Sequence, residues 1–327
     1  MNKVVLITGG AGYIGSNIIA KLAPKGSKII CLDNFSNSYD GSIKRLMKKY
    51  NNVSLEVGDM LDNEFMERLF QKYNFDCVIH MAGKKYVKDS FYETESYYQN
   101  NIIATQNLLG LMDKYGIKEV IFSSSIAVYG NAIPPFKESF SYNPQSPYAE
   151  MKAEGEKMIN EWCSKGKKAV VLRLSNPVGA NVNIMLGDDS KNKSLPLLPY
   201  LLKNIDNKLK FNAASQPTKD GTTIRDYIHV EDVALAFVKA FEVEKLGYNV
   251  YNIGSGEPGY SVLDLVKQVE KETNRTISYA IQEPREGDVS ISIGDNTKAK
   301  EILGFKVDRT IEDMVHSQRV FSEYLQE

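Results

Sequence analysis

The chain has 327 residues, 43% of them hydrophobic and 25% charged, and a formal charge of −1. This suits one large or two medium globular domains. It excludes the basic excess of a nucleic-acid binder and the like-charge runs of an interaction tail. The apolar run at 4–7 is too short for a secretory signal, and no stretch approaches the roughly 18 apolar residues of a membrane helix. Cys31, Cys77 and Cys163 are odd in number, far apart and without metal-ligand spacing. They predict reduced thiols in a cytoplasmic protein with no metal site, while the charge balance and the lack of a long apolar stretch predict no nucleic-acid or membrane partner.

In chain order, the β-branched run 4–8 predicts a buried parallel strand. Glycines follow at 9, 12 and 15, then a helical pattern over 16–22, then a strand over 28–33. Strand, glycine turn, helix and strand within about 30 residues form a dinucleotide-binding unit. Gly9 permits the tight turn, Gly12 lets backbone approach a pyrophosphate, and Gly15 lets helix pack on strand. The helix start supplies unpaired N–H groups and a positive dipole. Asp33 ends the second strand, where a carboxylate accepts from ribose hydroxyls and repels a 2′-phosphate. NAD is therefore favoured over NADP.

The alternation continues with a strand at 53–56, with Asp59 just beyond it, and a helix at 63–73. A strand at 77–81 runs into Ala82-Gly83, a long helix spans 92–115, and a strand at 119–123 runs into Ser124-Ser125. A helix spans 147 to about 163, and a sixth strand 169–174. The pattern predicts an α/β fold with a doubly wound parallel sheet. Ligands of such sheets bind at the strands' carboxyl ends. Asp33, Asp59, Met81 to Gly83, Ser123 to Ser125 and Asn176-Pro177 all fall there, which predicts one shared site.

Pro147 suits the first turn of the helix over 147–163. Tyr148 and Lys152 are then one turn apart on one face. They form the single Tyr-x-x-x-Lys pair of the chain. An ammonium beside a phenol favours the phenolate, which brings a group of pKa about 10 within reach of base chemistry near neutrality.

Beyond Asn176 the strict alternation stops. A loop rich in Asn, Asp and Lys (181–194) leads to a helix at 197–204, and Arg225 to Val230 lead into a helix at 233–244. A strand follows at 250–254, and Ser261 caps a helix at 262–273. The turn Pro284-Arg285-Glu286-Gly287-Asp288 holds a cation and an anion together. This half is expected to be a smaller α/β domain. The division is 1–175, rejoined by about 226–245, against 176–225 with 246–327.

These motifs together resemble the extended short-chain dehydrogenase/reductases, and within them the UDP-glucose 4-epimerase family. The resemblance spans nearly the whole chain. It rests on Thr8-Gly9-Gly10-Ala11-Gly12-Tyr13-Ile14-Gly15, Leu32-Asp33-Asn34, Phe122-Ser123-Ser124-Ser125 and Val128-Tyr129-Gly130. It continues through Pro144 to Tyr148 with Lys152, Asn176-Pro177-Val178-Gly179-Ala180, Asp220-Gly221-Thr222, Arg225 to Val230, and Arg285 to Asp288. It implies a Rossmann-type NAD-binding domain with a smaller UDP-sugar-binding domain, bound NAD, a UDP-sugar substrate and a homodimer.

The resemblance also implies roles. Ser125, Tyr148 and Lys152 match the catalytic set. Gly9, Gly12, Tyr13, Ile14 and Gly15 match the cofactor's glycine loop. Asp33, Asn34, Asn37 and Ser38 match its adenosine ribose side, and Asp59 and Met60 its adenine contact. Met81, Ala82, Gly83, Lys85, Asn100 and Ser123 match the remainder of NAD. Asn176, Leu197, Arg225, Tyr227, Arg285 and Asp288 match contacts to the nucleotide sugar. The reaction implied is transient oxidation at sugar C4, with Tyr148 as base, rotation of the keto sugar, and hydride return to the opposite face.

Four departures from the family pattern stand out. Leu174-Ser175 replace two aromatics, Pro196 replaces an asparagine, and Asn212-Ala213-Ala214 replace an aromatic-glycine-acid run. Ser292 stands where glucose-restricted members carry a tyrosine, which predicts room for an N-acetyl group. Dehydratases and decarboxylases of the superfamily carry an acid two residues after the catalytic serine or threonine. Ala127 fills that position and argues against elimination. The alternatives are a 4-epimerase of a UDP-uronate or UDP-pentose and a silent NAD-binding regulator. His80 is expected to be packed or cofactor-adjacent rather than catalytic, His229 to hydrogen-bond locally, and Trp162 to serve interdomain or helix packing.

Overall fold

Seven parallel strands alternate with helices because each strand is buried on both faces and each helix is apolar on one. The structure, a computed structural model, describes residues 3–163, 166–191, 195–284 and 289–326. The first half runs β1 (Val4–Thr8), α1 (Tyr13–Leu22), β2 (Lys28–Asp33), α2 (Gly41–Lys49), β3 (Val53–Val57), α3 (Asn63–Lys72) and β4 (Cys77–His80). Then come α4 (Val87–Ser90), α5 (Thr94–Tyr98), α6 (Ala104–Lys114), β5 (Glu119–Ser125), α7 (Pro147–Trp162) and β6 (Lys168–Leu174). The second half holds β7 (Asn176–Val178), α8 (Leu197–Lys203), β8 (Leu209–Asn212), β9 (Ile224–Arg225), β10 (Tyr227–His229), α9 (Val230–Glu242) and β11 (Gly247–Ile253). It ends with β12 (Tyr260–Ser261), α10 (Val262–Thr273), β13 (Tyr279–Gln282), β14 (Ile291–Ser292), α11 (Thr297–Leu303) and α12 (Ile311–Tyr324).

The main sheet has the order β11-β6-β5-β4-β1-β2-β3, parallel throughout. Alternation along each strand sends side chains to two cores. Val5, Ile7, Ile29 and Cys31 meet α1, α2, α9 and α11 on one face. Leu6, Ile30, Val78 and Val120 meet α3, α6 and α7 on the other. Trp162 belongs to this second core, so it packs helix on sheet rather than joining the two halves. A third core, around Leu198, Leu265, Val269 and Met314, holds α8, α10 and α12 together.

Two differences from the sequence reading affect the site. The strand expected at 250–254 begins earlier and is the edge of the main sheet, paired with β6 from Gly247↔Lys168 to Ile253↔Leu174. The long helix over 92–115 is broken by a π turn at Gln99–Ile103. Apolar spacing cannot reveal an extra residue in one turn, and such bulges occur often at functional positions. Here the turn aims Asn101 at the loop after β4, where its Oδ1 accepts from Lys84 N at 2.8 Å.

Candidate active site

A cleft of about 1290 Å³ lies across the carboxyl ends of the main strands and against the second half. Every sequence-predicted site residue within the described part lines it. On the cofactor side these are Gly9, Gly12, Tyr13, Ile14, Gly15, Asp33, Asn34, Asn37, Ser38, Asp59, Met60, Met81, Ala82, Gly83, Lys85, Asn100 and Ser123. Towards the second half they are Ser125, Tyr148, Lys152, Asn176, Leu197, Arg225, Tyr227 and Ser292. Arg285 and Asp288 lie outside the described residues.

The glycine turn is sterically obligatory. Gly9 has φ +66°, and a Cβ there would stand 2.9 Å from Ala82 Cα. A Cβ on Gly15 would collide with the Gly9 carbonyl oxygen. α1 starts at Tyr13 with Gly12 as its N-cap and no capping side chain, so its first N–H groups remain for an anion. Tyr13 Oη donates to Gly179 O at 2.6 Å and ties the turn to the second half.

Asp33 accepts from Ala11 N at 3.0 Å, Phe35 N at 2.9 Å and Ser38 Oγ at 3.0 Å. A carboxylate has about four acceptor positions. One remains for a ribose hydroxyl, and a second hydroxyl would have to displace Ser38. Asn34 Nδ2 donates to Asp59 Oδ2 at 2.8 Å, joining the ends of β2 and β3. Glycine cradle, carboxylate and helix start fit a dinucleotide.

α7 positions the reactive set. Ser146 caps it, accepting from Ala149 N, and Pro147 occupies its first turn. Tyr148 N donates to Ser90 Oγ at 3.2 Å. Burial pushes the Tyr148 phenol up to about 12, and a hydrogen bond from Ser125 works in the opposite sense. Lys152 donates to Ser123 O at 2.7 Å. Burial lowers its ammonium to about 8, against the pull of the Glu156 carboxylate. The chain's own groups therefore do not bring the phenol towards neutrality, contrary to the sequence expectation. Lys152 Nζ is 5.9 Å from the Tyr148 ring centroid, and burial is the larger influence on the phenol.

In the second half, Arg225 and Ser292 are register partners of β9 and β14. Asp226 accepts from Ser175 Oγ at 2.8 Å and Ser255 N at 2.7 Å, and burial raises its carboxyl to about 6. The departure at Ser175 thus supplies a donor to a buried acid. Leu174, Ser175 and Pro196 line the cleft, and Asn212 donates to Glu283 O at 2.8 Å.

His80 and His229 are structural, as expected. Thr8 and Thr105 hold the two ring nitrogens of His80 at 2.8 and 2.9 Å, and burial lowers it to about 3. His229 caps α9 by accepting from Glu231 N at 3.1 Å. Among the described residues no group of three His, Cys, Asp or Glu could hold a metal.

Sequence reasoning missed two features. The first is a strap, residues 181–191, that crosses the cofactor end of the cleft. Asp188 pairs with Lys85 at 3.2 Å, Ser190 bonds Tyr86 at 2.8 Å, and Lys191 Nζ donates to Phe35 O at 2.7 Å. Arg45 holds its outer side through Ile184 O at 3.0 Å and Met185 O at 2.6 Å. Nothing in a polar loop's composition signals this. The second is a buried ion pair, Glu156 with Arg173, behind Lys152. Its signal was available: an arginine inside the apolar run of β6.

A glycine cradle, an acidic strand end and a Ser–Tyr–Lys set on one cleft define a dinucleotide-dependent enzyme of the short-chain dehydrogenase type. Residues 5–254 match the NAD dependent epimerase/dehydratase family, and the chain belongs to that family. It is 37% identical to a UDP-glucose 4-epimerase of Bacillus subtilis, covering 95% of this chain and 94% of the relative. It superimposes at TM-score 0.92, with 36% identity and 98% coverage of both chains, on the Bifidobacterium longum UDP-glucose 4-epimerase in complex with NAD+ and UDP. It is also similar to the UDP-Glc/GlcNAc 4-epimerase of Campylobacter jejuni, at TM-score 0.86 and 28% identity, covering 99% of this chain and 100% of that one.

Proposed function

We propose that the chain is an NAD-dependent UDP-glucose 4-epimerase, interconverting UDP-galactose and UDP-glucose through a transient 4-keto sugar. One observation carries the reading. Ser125, Tyr148 and Lys152 meet on a cleft whose far wall is the second half's Arg225 and Ser292. Ala127, where an eliminating relative would carry an acid, lines the same cleft and has no proton to give.

The residues divide the work. The first half, joined by α9 and β11 of the second, binds NAD through the glycine turn, Asp33 and Lys85. The second half binds the UDP-sugar, with Arg225 suited to the pyrophosphate. Bound NAD supplies the hydride acceptor for C4 and a positive ring charge that favours the phenolate. Tyr148 Oη takes the proton of the 4-hydroxyl, while Ser125 hydrogen-bonds that oxygen. Lys152 lends its charge to the phenolate. On this reading the flat keto sugar would turn about its pyrophosphate link within the cleft and take back the hydride at C4 on its opposite face. Tyr148 Oη then returns the proton to the 4-oxygen on the other face. The net redox change is zero, which suits a cofactor held under the strap.

The test is a coupled assay of the purified protein on UDP-galactose. Formation of UDP-glucose without added NAD is the expected result; no conversion by NAD-loaded protein would overturn the reading. Ser292 favours a wider substrate range, because its small side chain lines the cleft beside Arg225. UDP-GlcNAc and UDP-GalNAc are substrates on that reading. The protein also forms a homodimer on this reading, with Tyr98 exposed ahead of α6, and light scattering at assay concentration tests it. Three free thiols suit the cytoplasm.

A further inference from the structure

Behind the reactive set lies a buried polar cluster that the proposed reaction does not use. Glu156 is fully buried and Arg173 is 3% exposed. Arg173 Nε donates to both Glu156 oxygens at 3.0 and 3.1 Å, and Nη2 adds a bond of 2.7 Å. Tyr142 Oη donates to the same carboxylate at 3.0 Å, and Tyr248 Oη lies 3.4 Å from it. The remaining donor is Ser124 Oγ, whose residue precedes Ser125. Arg173 is held in turn through Tyr129 Oη at 2.7 Å.

Two features tie this cluster to the chemistry. Tyr148, Lys152 and Glu156 follow one another on α7 at intervals of one turn, so the three share a face. The carboxylate is thus attached at once to the helix that carries the base and lysine and to the strand end that carries the serine. Its charge also bears on Lys152, whose neighbours include the Ser123 carbonyl, the Phe122 ring, the Tyr148 ring and neutral His80 of β4. Stability alone is a weak reason for such a pair, since apolar residues of like volume often serve as well.

We propose that Glu156 is a positioning residue for the epimerase reaction: its carboxylate, anchored by Arg173, aligns Ser125 through Ser124 and keeps Lys152 charged. This rests on Ser125, Tyr148 and Lys152 being the reacting groups. The carboxylate itself touches no substrate.

The experiment uses NAD-loaded protein and the Glu156→Gln variant, which keeps shape and loses charge. The expected result is unchanged NAD content and a KM for UDP-galactose within about threefold. kcat falls on the order of ten- to a hundredfold, and its alkaline limb moves down by about one pH unit. Wild-type kcat with an unmoved limb would overturn the proposal, because a purely structural role leaves that limb in place. Ser124→Ala retains the ion pair and cuts only the tether, so it stays informative should Glu156→Gln fail to fold. Its kcat falls severalfold with the limb unmoved; wild-type kcat overturns the alignment. A cycle of Tm values over Lys152→Met and Glu156→Gln reads the charge coupling without substrate. Non-additive shifts are expected, with Lys152→Met better tolerated in the Gln background, and additive shifts overturn the charge role. A wild type inactive on UDP-galactose defeats the proposed function alone, and the cycle still decides.

Discussion

Lys152 donates to the Ser123 carbonyl at 2.7 Å, while its ammonium stands 5.9 Å from the centroid of the Tyr148 ring. The lysine is bound to the strand end, not to the phenol. Its influence on the base is by charge across a short gap, in a site where burial penalises both ionised forms.

Tyr148→Phe removes the group proposed to move the 4-hydroxyl proton. Epimerisation of UDP-galactose falls on the order of a thousandfold or more. Bound NAD, measured enzymatically after denaturation, stays at wild-type content. Near-normal turnover in this variant would end the assignment of Tyr148 as base.

Lys152→Met separates the cost of burying the ammonium from its use. The folded group sits at about 8 against 10.5 when exposed. Below pH 8 both states are charged and the folded state carries the full penalty. Between pH 8 and 10.5 the unfolded chain binds more protons, so wild-type stability rises with pH relative to the variant. Urea denaturation of the NAD-free proteins should show the variant's advantage shrinking over that window by up to about 3 kcal/mol. A constant difference from pH 7 to 10.5 would contradict it.

Ser292→Tyr places a large ring beside Arg225. Turnover of UDP-GalNAc drops at least about tenfold while UDP-galactose stays within a few-fold, since pocket volume discriminates by roughly 1–3 kcal/mol. Initial rates on UDP-Glc, UDP-Gal, UDP-GlcNAc and UDP-GalNAc, compared side by side, read the change. Equal exclusion of acetylated sugars by both proteins would count against the roomier pocket.

Arg45→Ala releases the strap at Ile184 and Met185, far from the reacting groups. Charge-assisted bonds to two carbonyls are lost. NAD is expected to leave on the order of tenfold faster on dilution into NAD-scavenging enzyme, with kcat of the loaded protein unchanged. An unaltered loss rate would mean that the strap does not hold the cofactor.

The sequence by itself determined the sheet and its cofactor end. Short β-branched runs alternating with helical patterns, the glycines at 9, 12 and 15 and Asp33 are local signals, because a strand, a tight turn and a helix start are each specified by neighbouring residues. Tyr148 and Lys152 were legible for the same reason: one helical turn joins them. Only the tertiary structure decided the rest. It placed β11 on the main sheet and paired Arg225 with Ser292 across 67 residues of chain. It laid the 181–191 strap over the cleft and set Arg173 against Glu156 beneath the lysine. Those contacts depend on which distant surfaces pack together, and on how far burial outweighs a neighbouring charge. No local pattern encodes either quantity.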